Sequence, residues 1–424
     1  MKDLPRICFV GLLFALAALP GTAQPKHLNV DGDPGAHMPL AASWKPEPVV
    51  RNDAGLVISA PIWSTYWANA GQLAPEDSRV PIPPRALLKQ EVPKVLAWGA
   101  KEYELEPIVI ATPNAVLVFS LKSMPAKAFS AEERGWLQGH FTQKLKKKLT
   151  PAQVAHALGL RYLRLEQMWR ELLCLDAKEA SHRPARLAGH FGSKGRSELY
   201  VFPKDEPYRE FGRHFFGAAG QHASYWWHGE TEVIIGAFHA GELKHGEFLA
   251  RFDHIVAHDL VYQYRAFYHY LPAWVPNGIA HHFARRNKEV RSTYILLGAA
   301  DSAHQAGWKW DEGGARRDWW REAKALVRAG DQQSITKLGM STHYQELPPR
   351  AHVQAWSMVN YMIGMGKDRF RTFMDEMKSK SEDESLLEVQ QRAFLRAYGV
   401  NMVVFERNWK RWVSKTRPPK RRRG

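Results

Sequence analysis

The stretch "HDLVYQYRAFYHYLPAWVPNGIAHHF", residues 258–283, decides how the chain is read. Its first part closes a longer run, "HGEFLARFDHIVAHDLVYQYRAFY" (245–268), whose apolar residues recur at helical spacing. Its second part belongs to "PAWVPNGIAHHFARRN" (272–287), which reads as a second helix. Imidazoles lie on both: His254 and His258 one turn apart on the first, His281 and His282 on the second. Two residues four apart on a helix share a face, so His254 and His258 can address one point.

Upstream, "PIVIATPNAVLVFSL" (107–121) has two β-branched runs around Thr-Pro-Asn and predicts strand, turn, strand. "LTPAQVAHALGLRYLRLEQMWRELLCL" (149–175) predicts a long amphipathic helix capped by Thr150. "SELYVFPKDEPYREF" (197–211) reads as a strand followed by a helix, and "ETEVIIGAF" (230–238) as another strand. Downstream only helices are expected: 316–330, 350–365, 368–380 and 386–399, with Gly330 and Gly399 as C-caps. A small mixed sheet followed by a mainly helical body is an α+β arrangement. The expected division is a signal peptide at 1–23, a proline-rich extended arm at 24–95, a strand pair with the long helix at 96–185, a main domain at 186–414 and a basic tail at 415–424.

The signal-peptide reading rests on Lys2 and Arg6 ahead of the 13-residue apolar run 7–19, with a small-residue cleavage site at Ala23. That implies an exported protein, secreted or periplasmic. Cleavage would leave Cys174 as the one cysteine, so no internal disulfide is expected; its setting "WRELLCLDA" predicts a buried helical position. The 45% hydrophobic content supports a large core. The formal net charge of +16, six of whose cations lie in "KTRPPKRRRG" (415–424), favours anionic envelope polymers or a membrane surface as partners over any specific nucleic acid. No Gly-x-Ser-x-Gly phrase is present, and the glycines of "HFFGAAGQH" (214–222) lack the context of a nucleotide loop and read as turn glycines.

Several phrases in order resemble the peptidase-MA-like gluzincins. They are "YVFPKDEPY" (200–208), "AHDLVYQ" (257–263), "LPAWVPNGIAHHF" (271–283), "AWSMVNYMI" (355–363) and "YGVNMVVFERNWKRWV" (398–413). The resemblance covers about 190–413 and implies a gluzincin-like zincin fold. It also implies a zinc site in which two histidines four apart and a downstream Glu hold the metal, while a Glu beside the first His polarises water. Carried over by position, His258 is the first ligand, Asp259 stands at the general base, Tyr262 at the second ligand and Asn277 at the third. Asp is one methylene short, a phenol binds only as phenolate, and a neutral amide is a poor zinc ligand. The expectation is a pseudo-peptidase without a cofactor, serving as a binding or structural module of the cell envelope.

The alternative is a metal-dependent hydrolase with a relocated zinc site using His254 and His258, completed by His281 or His282; against it, Ile255 rather than Glu follows His254. The tryptophan pairs Trp226–Trp227, Trp308/Trp310 and Trp319–Trp320 read first as core packing, and second as a stacking surface in a former cleft.

Overall fold

The structure is a computed structural model. It describes residues 98–416 apart from 100, 104, 106, 112–114, 130, 139–144, 176–196, 218–222, 229–232, 242–244, 265–270, 287–317 and 343–346; before residue 98 it describes strand segments between 49 and 73. The expected signal peptide, most of the proline-rich arm, the end of the basic tail, Trp308 and Trp310 lie outside the described residues.

The strands are β1 (Val49–Arg51), β2 (Val57–Ser59), β3 (Ser64–Asn69), β4 (Gln72–Leu73), β5 (Ile108–Ala111), β6 (Ala115–Phe119), β7 (Met124–Pro125), β8 (Lys148–Leu149), β9 (Ser197–Phe202), β10 (Ala223–His228) and β11 (Val233–His239). Seven of them form one sheet in the order β10-β11-β9-β6-β5-β3-β4. The pairs β11–β9 and β9–β6 are parallel and the others antiparallel. Every residue of β6 and β9 is buried, as expected of central parallel strands covered on both faces. The mixed helix and sheet content agrees with the α+β expectation.

Two details refine the sequence reading. Strand β3, inside the supposed arm, pairs with β5 from Ser64↔Ala111 to Trp67↔Ile108, so part of the arm extends the sheet. The expected boundary at 185/186 passes through that sheet, because β6 and β9 lie on either side of it in sequence and pair directly.

The helices are α1 (Ala131–Gln138), α2 (Pro151–Leu172), α3 (Asp205–Phe216), α4 (His245–Gln263), α5 (Trp274–Arg286), α6 (Trp319–Ala329), α7 (Ile335–Met340), α8 (Pro349–Gly364), α9 (Lys367–Lys378), α10 (Leu386–Tyr398) and α11 (Met402–Lys415). Helix α2 begins as its sequence demands: Thr150 accepts from the Gln153 N–H, and Gln153 returns the bond to the Thr150 N–H. Gly330 and Gly399 end α6 and α10 in the left-handed conformation, at φ 74° and 69°.

Cys174 corrects an expectation. Helix α2 stops at Leu172, so Cys174 falls beyond its end, at φ 50°, and is exposed rather than buried within the helix.

Alternation along β9 sorts the layers. Tyr200 and Phe202 meet Phe211 of α3 on one face, with ring centroids 4.9 and 5.1 Å apart. Ser197 faces α4 on the other, where Phe119 and Phe238 also meet Phe252. Helix α4 is thus held against the sheet and clamped to α2 by Arg161, which donates twice to Asp253 at 2.5 and 2.6 Å in a buried pair. Its C-terminal end is capped by Lys378 of α9, whose Nζ donates to the carbonyls of Val261 (2.8 Å) and Tyr264.

The opposite side of α4 carries the helical body. Helix α5 is wedged between α4 and α8, and its approach to α8 requires Gly278. A Cβ there would lie 2.6 Å from the Ala355 carbonyl oxygen and 2.6 Å from Val359 Cγ2. Trp274 on α5 donates to Gln390 of α10, fixing α5 on its other flank. Trp319 and Trp320 pack against Trp356, and Trp320 also meets Trp412. Of the tryptophan pairs, this one is therefore interior packing.

Candidate functional site: a buried histidine chain between three helices

His258 and Asp259 are neighbours in sequence but about 100° apart around α4, and they serve opposite sides of it. Asp259 turns to the sheet. Its Oδ2 accepts from Gln263 (2.6 Å), Ser197 Oγ (3.3 Å) and the Tyr162 hydroxyl (3.4 Å), and Gln263 also reaches Ser197 at 2.5 Å. All of these groups are buried. Burial pushes the Asp259 carboxyl up to about 8 against the pull of these hydrogen bonds, so it is a neutral acid at pH 7. The Tyr162 phenol is driven well above its usual value, by burial first and by Asp259 second. A protonated acid tied to a serine, a glutamine and a tyrosine is a structural network, not a base aimed at water.

His258 turns to the helical body. Its Nε2 lies 3.1 Å from Nε2 of His254, and Tyr262 stacks on it with ring centroids 6.2 Å apart. His254 in turn meets His281 of α5, ring centroids 4.7 Å apart, and His281 Nε2 lies 3.0 Å from Nδ1 of His352 on α8. The result is a chain of four imidazoles, 258–254–281–352, spanning three helices. All four residues are fully buried. Burial pushes His258 and His352 down to about 3, and His254 and His281 well below the usual imidazole value, with neighbouring imidazoles adding to the effect at His254, His258 and His281. Each ring is therefore neutral at pH 7 and retains a lone pair. As the rings stand, no group of three His, Cys, Asp or Glu among the described residues is arranged to hold an ion.

Among the residues expected from sequence, Asn277 does not join this chain. Its Nδ2 donates to the Ala273 carbonyl on its own helix, at 2.9 Å, and its Oδ1 is buried without a hydrogen-bond partner. The zinc implied by the resemblance therefore does not fit its expected positions. His258 is engaged with His254, Tyr262 is a buried phenol, Asn277 is a neutral amide tied to its own helix, and Asp259 faces away.

Of the two alternatives His281 and His282, His282 lies 3.1 Å from Asn360 Oδ1 through its Nδ1. His281, its neighbour, is the member that joins His254. Sequence reasoning missed His352, a single imidazole in "RAHVQAWSM" 71 residues downstream of its partner. Its one sequence clue is that Ala355, three residues on, opens the phrase "AWSMVNYMI" on which the expected resemblance drew.

Two cations border the cluster. Arg251 donates to the His239 carbonyl, and Arg285, pushed down to about 10 mainly by burial, lies 4.4 Å from the ring centroid of Trp319. Trp319 closes over His281, centroid to centroid 4.9 Å. Comparison of the chain with family models, curated proteins and solved structures returned no match.

Proposed function

We propose that the chain is an exported, gluzincin-like scaffold that no longer hydrolyses peptides and serves as a binding or structural module of the cell envelope. One observation carries this reading: the residue at the general-base position, Asp259, is sealed into a protonated network on the sheet side of α4, while His258 at the first-ligand position faces the other way. A zinc hydrolase needs a metal-bound water open to substrate with a carboxylate beside it. The order of phrases from 190 to 413 supports the gluzincin-like scaffold.

The second reading, a relocated hydrolase on His254 and His258, is favoured by their contact with His281. Full burial of all three rings and Ile255 in place of a base count against it.

The partner class follows from charge. Arg407, Arg411 and Lys415 are exposed at four-residue intervals on α11, forming a cationic stripe that leads into the basic tail. Such a stripe suits an anionic envelope polymer. The functional test is a peptidase assay on a mixed peptide library with added zinc, where no cleavage above a denatured control is expected. Cleavage that disappears in His258→Ala would defeat the proposal. The partner test is adsorption to an anionic polymer at low salt. It should weaken when 415–424 is removed and weaken further in Arg407→Gln/Arg411→Gln; unchanged adsorption would make the stripe incidental.

A further inference from the structure

We propose that His254, His258, His281 and His352 form a closed structural site for one divalent transition metal, displaced by one helical turn from the position that the family pattern implies.

The displacement is legible in the numbering. The ligand positions that the resemblance implies are 258, 262 and 277; the histidines of the cluster are 254, 258 and 281, each four residues away. The site moves back one turn on α4 and forward one turn on α5, and His352 of α8 supplies a fourth imidazole. Four neutral nitrogens with no open position make a structural site, not a catalytic one.

Distances support the assignment. Two nitrogens bound to one tetrahedral zinc lie about 3.3 Å apart, given bonds of about 2.05 Å. The pairs His254–His258 and His281–His352 stand at 3.1 and 3.0 Å. Without metal each pair shares a proton in an N–H···N contact; with metal, a turn of the His281 ring closes the two pairs onto one ion at the point where His281 already touches His254. The second nitrogen of His281, Nδ1, is buried and has no hydrogen-bond partner, so turning that ring breaks no other bond. Imidazole ligands select zinc, copper, nickel or cobalt over calcium or magnesium.

Arg251 and Arg285 border the cluster and oppose a dication, so binding rests on the four imidazole nitrogens alone.

The proposal goes beyond the functional reading and fails separately from it: loss of hydrolysis and presence of metal are independent results. The test uses the full chain, stripped with chelator, reloaded with zinc or cobalt(II) and desalted. One metal per chain, a raised melting temperature and a tetrahedral cobalt spectrum are expected. His281→Phe, which keeps an aromatic ring but no ligand, and His352→Ala should each reduce affinity at least about tenfold, whereas His282→Ala should not. If His352→Ala fails to fold, His281→Phe decides alone, its fold checked by circular dichroism without metal. Substoichiometric metal in the parent chain, or full retention in His281→Phe, overturns the site.

Discussion

Replacing Gly278 by alanine probes the packing on which the histidine cluster depends. The new Cβ would meet Ala355 O and Val359 Cγ2 at 2.6 Å and the Ala355 carbonyl carbon at 3.0 Å. Val359 can turn aside, but a helix carbonyl cannot. Restoring ordinary contact, roughly 3.4 Å, moves α5 from α8 by about 0.8 Å. Such overpacking costs about 1–3 kcal/mol, against roughly 1 kcal/mol gained from the better helix propensity of alanine. The net loss is up to about 2 kcal/mol, or a fall of up to roughly 8 °C in melting temperature at about 2–4 °C per kcal/mol. Gly135→Ala is the control: it lies within α1 with nothing within 4 Å of its would-be Cβ, so it should stabilise by up to about 1 kcal/mol. Thermal and urea unfolding followed by circular dichroism reads both. A Gly278→Ala protein stabilised as much as Gly135→Ala would show that α5 and α8 are not in close contact, and the link between His281 and His352 would go with it.

Three further outcomes follow from the same interior. Asp259 has a folded-state pKa raised from 3.8 to about 8, so its stabilisation is complete below pH 4 and is lost as pH rises through 8; Asp259→Asn should gain on the parent over that window by about 1 kcal/mol per pH unit, and a gap that does not widen with pH would refute the neutral acid. The histidines run the other way: His258 and His352 are depressed to about 3, so their contribution is present above 6.5 and is lost as pH falls toward 3, and His352→Phe should flatten the acid limb of a denaturation-midpoint profile. Cutting the buried Arg161–Asp253 pair by Arg161→Ala should cost about 3–5 kcal/mol, because it strands a buried carboxylate, while Arg209→Ala, whose partner Asp205 is half-exposed, should cost less than about 1 kcal/mol in the same urea titration.

Much of the fold was legible because its elements are locally encoded. The Thr150 cap and proline start of α2, the Thr-Pro-Asn that separates the paired strands β5 and β6 in sequence, and the glycine stops at 330 and 399 each mark a boundary by their own chemistry. Strand β3 was not legible, since its proline-rich flanks mask a segment that becomes a strand by pairing with β5. Cys174 was misplaced for a related reason: apolar spacing runs past Leu172, and the left-handed turn that follows has no glycine to announce it.

The candidate site was half legible. Helical periodicity puts His254 and His258 on one face, but it does not say that Asp259, a residue later, belongs to the sheet. Nor does it choose between His281 and His282, or bring in His352, because those facts depend on how closely α5 and α8 approach at Gly278.

His258, at the position that the resemblance assigns to a first ligand, is sealed and neutral. Hydrogen–deuterium exchange at imidazole C2, resolved by residue, measures accessibility and titration together. His214 on α3 is exposed and provides the internal reference. The account predicts that His258 exchanges far more slowly than His214 and shows no titration near pH 6.5. Exchange of His258 at the rate of His214, with a midpoint between pH 6 and 7, would place it in an open site and contradict the account.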